Sequence, residues 1–239
     1  DWYEDMLRWI KDNYEIHIHA FSPVEIRRIA EFSELSVKET LIRLRKAGLD
    51  SVPGGGAEIL SDPVRKKIAP LKDSSDEWLE VMEIAHEIGM RTTATMMFGH
   101  VEEDTDIIEH LDRLRELQDR TAGFTAFIPW TFQPENTHLK TNKATSVEYL
   151  RVLAMSRLYL DNIDNLQLSY VTMGAKIGQV AMRFGANDFG SLMLEENVVS
   201  QAGAKFLMPR EEIERLIRDA GFTPALRNQR YDVLQVLEN

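Results

Sequence analysis

The sequence predicts an α/β fold, a parallel (β/α) barrel of the TIM-like type with part of its circumference missing. Two observations carry that expectation. Short β-branched and apolar runs near residues 14–21, 49–53, 92–98, 124–130, 166–171 and 188–192 suit buried parallel strands, and all but the last lead into a segment with helical spacing. The ends of these runs also collect glycines, histidines and carboxylates, and ligands of parallel α/β folds bind at the carboxyl ends of strands. Six βα units exceed what most nucleotide-binding folds need and fall short of the eight in a closed barrel, so the two N-terminal units are expected to be missing. The chain also opens on an amphipathic helix without a strand before it. Residues 1–200 are read as the partial barrel and residues 201–239 as a helical extension packed on it.

At 239 residues the chain can bury a large core, and its 44% apolar and 28% charged shares are ordinary for a soluble enzyme. No apolar run approaches the ~20 residues of a membrane helix, so no membrane partner is expected. A net charge of −11 argues against nucleic acid, whose binders carry a concentrated basic face. The absence of Cys removes disulfides, thiolate nucleophiles and thiolate metal ligands together, and a cytoplasmic location is the default. Oligomeric state leaves no trace.

Residues 2–11 are amphipathic, with Met6, Trp9 and Ile10 available for one face. In residues 14–21, Ile16, Ile18 and Ala20 alternate with His17, His19 and Phe21, so His17 and His19 are expected to face the lumen together. Ser22 and Pro23 suit the N-cap and first turn of a helix to residue 32; Ser36 starts a second, stopped by Gly48. The strand at 49–53 runs into Gly54, Gly55, Gly56, Ala57 and Glu58. Three glycines without β-carbons let backbone amides approach a ligand closely, though a plain flexible turn has about even odds. Ser-Ser-Asp-Glu at residues 74–77 opens the next helix.

Residues 92–102, Thr-Thr-Ala-Thr-Met-Met-Phe-Gly-His-Val-Glu, form the central strand, with Gly99, His100 and Glu102 at its end. Ile107, Leu111, Leu114 and Leu117 recur at helical spacing in the segment that follows, which is packing rather than chemistry. The strand at 124–130 ends in Pro129-Trp130-Thr131-Phe132-Gln133-Pro134, a stiff loop suited to the wall of a pocket for a planar ligand or to closing a barrel mouth. A helix over 146–160 carries Leu150, Leu153, Ala154, Arg157 and Leu158. The strand at 166–171 contains Ser169 and leads into Thr172, and a last short strand contains Asn187 and Asp188. After it, Glu195-Glu196-Asn197 is strongly polar beside Val198-Val199. A helix near 209–220, a stop at Gly221 and an extended piece near 231–236 complete the chain.

Several of these runs are specific in combination. Gly48-Leu49-Asp50-Ser51-Val52-Pro53-Gly54-Gly55-Gly56-Ala57-Glu58-Ile59-Leu60, the strand of residues 92–102, Phe127-Ile128-Pro129-Trp130 with Phe132-Gln133-Pro134-Glu135-Asn136-Thr137, Lys176-Ile177-Gly178-Gln179, and the stretch from Phe184 through Asn187-Asp188-Phe189-Gly190-Ser191 to Val199 closely resemble the radical S-adenosylmethionine enzymes of the futalosine menaquinone pathway. The resemblance covers essentially the whole chain and is strongest to their cyclase branch.

It implies a radical S-adenosylmethionine barrel in which residues 14–21 are the third strand and residues 49–53 the fourth. Thr95, Met97, Gly99 and Glu102 then fit a degenerate Gly-x-Ile-x-Gly-x-x-Glu pattern that supports the adenine. S-adenosylmethionine and a [4Fe–4S] cluster are the implied cofactors, and without Cys this chain lacks the cluster ligands. It is therefore expected to be the C-terminal part of the enzyme, inactive alone. Dehypoxanthine futalosine is the implied substrate, with an external one-electron reductant. The implied reaction removes a ribose C4′ hydrogen with the 5′-deoxyadenosyl radical, adds the carbon radical to the arene, and loses an electron and a proton. Gly54, Gly55, Gly56 and Glu58 are expected at the ribose and methionyl group, and Gly99 and Glu102 at the adenine. His17, His19, His100 and Asp188 are the catalytic candidates, and Trp130, Gln133, Ser169, Thr172 and Asn187 the substrate contacts. No resident metal ion is expected. Ala122 stands where the family usually has Gly, and Tyr170 and Met173 where Trp and Gln are usual.

Sister enzymes share many of these runs, namely aminofutalosine synthase and one half of the deazaflavin-cofactor synthase. A rival of another class is a metal-dependent hydrolase using His17, His19, His100 and Asp188, with which the glycine triplet has no role. A catalytically silent binding module is the third reading, and the missing Cys favours it.

Overall fold

A computed structural model describes residues 1–193 and 207–238, so the Glu195-Glu196-Asn197-Val198-Val199 run lies outside the described residues. In chain order the elements are α1 (Trp2–Asn13), α2 (Pro23–Phe32), α3 (Val37–Ala47), β1 (Ser51–Val52), α4 (Asp62–Ile68), α5 (Ser75–Glu87), β2 (Arg91–Phe98), α6 (Asp104–Thr121), β3 (Phe124–Thr131), α7 (Ser146–Tyr159), β4 (Asn165–Leu166), α8 (Tyr170–Ala181), α9 (Arg210–Asp219), β5 (Ala225–Arg227) and β6 (Val233–Val236). β1, β2, β3 and β4 pair in that order, all parallel. Isolated parallel bridges extend the sheet at both edges, His19 to Ser51 and Gln167 to Asp188. The result is a partial TIM-like barrel whose sheet does not close among the described residues.

The expected strands survive unequally. β2 and β3 run eight residues each and carry the core, because both faces are covered. Residues 14–21 pair only at His19, and the strand expected over 166–171 ends at Leu166, since α8 starts at Tyr170. In that stretch, the Tyr149 hydroxyl accepts from the Ser169 amide at 2.8 Å and draws the backbone out of the sheet into the helix start.

Local sequence explains the helix starts. Ser22 with Glu25, Ser36 with Glu39, Ser74 with Glu77 and Thr145 with Glu148 each form a reciprocal capping box. In α6, Ile107, Leu111, Leu114 and Leu117 are all buried, as their spacing predicts. α1 differs from expectation: Leu7 is its fully buried residue, whereas Trp9 is exposed and meets Tyr14 edge-on. Leu158 of α7 is likewise exposed, although its spacing suits a core position. Trp78 stacks near Phe124, and Phe98 near Tyr149, sealing α5 and α7 onto the two central strands.

After α9, the chain forms an antiparallel hairpin of β5 and β6 rather than one extended piece. Gln179 donates to the Leu216 carbonyl at 3.2 Å, and Arg183 stacks over Phe222, so α9 lies against α8. The hairpin reaches the sheet through Arg227.

Candidate functional site

Gly54 follows β1 and lies flat on β2: a β-carbon there would come within 2.7 Å of the Thr93 carbonyl and 2.8 Å of the Ala94 α-carbon. Its close approach is therefore to the neighbouring strand. The Thr93 hydroxyl accepts from the Gly54 amide at 3.0 Å, and the Thr95 hydroxyl donates to the Gly54 carbonyl at 2.6 Å. Further along, the Met97 amide donates to the Glu58 carbonyl at 2.7 Å, so this loop runs beside β2 toward its carboxyl end. Gly55, Gly56 and Glu58 remain partly exposed, and Lys72 pairs with the Glu58 carboxylate.

At the carboxyl end of β2, Gly99 adopts φ +85, and the turn wraps around the Glu102 carboxylate. That carboxylate accepts from the backbone amides of Gly99 and His100 and lies 2.8 Å from the His100 Nδ1. Burial alone would raise its pKa, but the His100 contact and these amides outweigh it and lower the value to about 2. The His100 ring is buried, with Nε2 3.1 Å from the Met97 carbonyl and Nδ1 2.7 Å from the Val101 amide. His100 and Glu102 thus shape the turn, which borders a cavity of about 1000 Å³ between α6 and α7.

His17 and His19 are brought together. Ser51 Oγ is 2.7 Å from His17 Nε2 and 2.6 Å from His19 Nδ1. Burial, then the neighbouring His17 and Arg227, lower the His19 pKa to about 4, and burial lowers that of His17 too. Ser51 pairs with Arg91, the first residue of β2, so by register these histidines lie at the opposite end of that strand from Gly99. Asp188 is gripped by Arg227 of the hairpin, through Nε to Oδ2 and through Nη2 to Oδ1 at 2.9 Å. The Arg227 guanidinium lies 3.9 Å from the centroid of the Tyr231 ring. No sequence signal paired Asp188 with a residue so far along the chain. A hydrolase site would need His17, His19, His100 and Asp188 together; among the described residues no three potential metal-ligating side chains converge.

The remaining candidates divide. Gln133 is buried after β3; its Nε2 donates to the Thr131 carbonyl at 2.9 Å and the Thr131 hydroxyl at 3.0 Å. These acceptors, with the Phe132 carbonyl at 3.3 Å, fix the orientation of the amide and leave its buried Oε1 without a partner among the described residues. Trp130 is half-buried one residue before Thr131, opposite Met97 in the register. Ser169 and Thr172 share a 2.9 Å hydroxyl contact at the start of α8. Thr131, which no sequence pattern singled out, approaches Met173 at 3.4 Å and ties the β3 end to this helix. Asn187 stands apart: its Oδ1 accepts from the Leu166 amide and Arg157, and its Nδ2 donates to the Asp164 carbonyl. It clamps β4 from the exposed side.

A partial parallel barrel with glycine-bearing loops at its strand ends defines a class of α/β scaffold that binds small molecules there. The chain belongs to the radical S-adenosylmethionine superfamily. Residues 1–114 match the radical SAM superfamily and residues 121–239 the CofH/MqnC C-terminal region. Over its whole length the chain is 48% identical to cyclic dehypoxanthine futalosine synthase of Halalkalibacterium halodurans, covering 65% of that protein. It is 49% identical to the protein of that name from Streptomyces coelicolor, over 99% of this chain and 60% of the relative. A 5-amino-6-(D-ribitylamino)uracil–L-tyrosine 4-hydroxyphenyl transferase of Methanococcus maripaludis is 41% identical, over 97% of this chain and 68% of the relative. The crystal structure of methylornithine synthase (PylB) superposes with a TM-score of 0.67 at 15% identity, covering 94% of this chain and 63% of that one, which establishes the shared fold. The chain thus spans less than two thirds of the length of the two synthases.

Proposed function

We propose that this chain is the strand-end scaffold of a radical S-adenosylmethionine enzyme that cyclises dehypoxanthine futalosine in menaquinone biosynthesis. Identity of 48% and 49% to the two cyclic dehypoxanthine futalosine synthases, against 40–44% to the transferases, supports this branch. The geometry that carries it is Gln133: a buried carbonyl oxygen without a partner among the described residues, at a strand end beside Trp130, suits a hydroxyl donor on a compact aromatic substrate.

The alternating backbone of the glycine loop, with positive φ at Gly56 and Glu58, suits the polar groups of S-adenosylmethionine, and Gly54, Gly55, Gly56 and Glu58 would hold its ribose and methionyl part. Gly99 would stand at the adenine side, on a turn that Glu102 keeps rigid. When bound, the cofactor supplies the radical chemistry; the protein orients the substrate and excludes water. The chain has no Cys, so its residues do not fit a [4Fe–4S] cluster, whose ligands would come from elsewhere in the whole protein. An external one-electron reductant and a cytoplasmic setting complete the set. Ser169 and Thr172 would line the substrate's other side.

The test uses a full-length protein containing this chain, reconstituted with cluster, S-adenosylmethionine and reductant. Conversion of dehypoxanthine futalosine to its cyclic form is expected, and Gln133→Leu should raise its KM about tenfold, the loss of one buried hydrogen bond. Turnover only with L-tyrosine and 5-amino-6-(D-ribitylamino)uracil would overturn the reading. An unchanged KM in Q133L would remove Gln133 from the site.

A further inference from the structure

α7 carries more apolar surface than the barrel takes from it. Tyr149, Val152, Leu153 and Ser156 are buried and form its inner stripe. At 3.6 residues per turn, Val147, Arg151, Ala154 and Leu158 lie on the opposite side. There Val147 is 67% exposed and Leu158 83%, with Ala154 half-buried between them. A helix that is apolar on both sides is suited to being covered on both.

The outer row has a definite spacing. Its four residues are separated by four, three and four positions, which is the a/d seam of a coiled coil. The row is also symmetric about the midpoint between Val152 and Leu153. Laid against an antiparallel copy of itself, each Val147 meets the partner's Leu158 and each Arg151 the partner's Ala154, which is the isologous contact of a two-fold dimer. The small Ala154 side chain beside the axis leaves room for the apolar stem of Arg151. The two guanidiniums do not collide, because helix side chains lean toward the N-terminus of their own helix and so diverge from the axis. Each leans toward Glu148 of its own chain, whose carboxyl the Arg151 charge helps to hold below its usual range.

Charge permits this contact between like molecules. At a net −11, two copies of the chain repel each other over most of their surface. α7 departs from that balance, with one acidic residue, Glu148, against the two bases Arg151 and Arg157. The helix pair, about 21 Å long, is a small contact beside the ~1,200–2,000 Å² of a specific interface. Apolar surface continues past it: Met155, Ile108 and the 39% exposed Phe184 line the cavity of about 1000 Å³ between α6 and α7.

We propose that the outer face of α7 pairs with α7 of a second copy of this chain, antiparallel, about a two-fold axis passing between Val152 and Leu153. Leu158, whose spacing suits a core position, is then a core residue of the dimer. The pairing is independent of the cofactor reading.

The test is the mass in solution of a full-length protein containing this chain, measured by sedimentation velocity. Wild type should run at twice the chain mass. Symmetry places any substitution in the seam twice, so Val147→Glu and Leu158→Arg should each weaken association about a hundredfold or more and yield the monomer mass. The double variant should recover the dimer, because in this register the introduced carboxylate of one copy faces the introduced guanidinium of the other. Both positions are exposed in the single copy, so thermal unfolding of the monomeric variants should show the fold retained. A monomeric wild type overturns the pairing; if Leu158 is then also shielded from hydroxyl-radical labelling, the face belongs to another part of the same protein. A dimer that L158R leaves intact, or one that the double variant fails to recover, equally rules out this seam.

Discussion

Ala122 ends α6 in the left-handed region at φ +49, where its amide donates to the Gln118 carbonyl at 2.7 Å. A β-carbon in this conformation crowds the following carbonyl, and glycine removes that contact. Ala122→Gly should therefore stabilise the fold by about 0.5–1 kcal/mol despite the added entropy of the unfolded chain. Thermal unfolding of the purified chain measures it, with a rise of roughly 2–4 °C per kcal/mol for a protein of this size. A fall in Tm would mean that the Ala122 methyl is worth more in packing than it costs in strain. The same scale separates the site residues: Gln133 keeps a free acceptor, whereas His100, Glu102 and Asn187 spend their polar atoms on nearby groups. Sequence spacing marks which residue types gather at strand ends and is silent on which of their atoms remain free.

The elements most legible in the sequence are those whose signals are local. The capping boxes at Ser22, Ser36, Ser74 and Thr145, the apolar stripe of α6 and the buried runs of β2 and β3 all depend on neighbours within a few residues. The edges were not legible, because a strand that pairs at one residue, as His19 does with Ser51, depends on a partner far along the chain. The Leu166-Gln167-Leu168-Ser169-Tyr170 alternation serves equally for a strand or for a strand end entering a helix, and Tyr149 decides between them. The C-terminal hairpin is the element furthest from sequence reach. Its β strands are largely exposed, and Arg227, partly buried, is its anchor on Asp188. Arg227→Met should release β5 and β6, cost about 1–3 kcal/mol through the unpaired Asp188, and raise exchange in residues 225–236 while β2 and β3 stay protected. Uniform loss of protection would show that the hairpin unfolds only with the barrel.

Three histidines with lowered pKa values couple the whole molecule to pH. His110 is fully enclosed: the Leu60 amide donates to its Nδ1, and its Nε2 has no partner among the described residues. Burial, reinforced by Arg65 and Arg113, lowers its pKa to about 3. His86 sits between the hydroxyls of Thr121 and Thr92 and is lowered to about 4 by burial and Arg91; His19, beside Ser51, is also lowered to about 4. Each folded value lies below the ordinary 6.5 of an unfolded histidine, so between these values the unfolded chain binds more protons than the folded one. Stability is then full above about pH 6.5 and falls as the pH drops toward about 4, with His110 continuing toward about 3. Each group contributes at most ~1.4 kcal/mol per pH unit within its window. Urea unfolding between pH 7 and pH 4.5 should show this loss before most carboxylates titrate. His110→Asn offers a carbonyl oxygen to the Leu60 amide in place of Nδ1 and carries no titrating group, so it should lower stability at pH 7 and reduce the slope below pH 6.5 by the share of one histidine. An unchanged slope in H110N would mean that His110 is protonated equally in both states, and that the glycine loop it supports through Leu60 admits water.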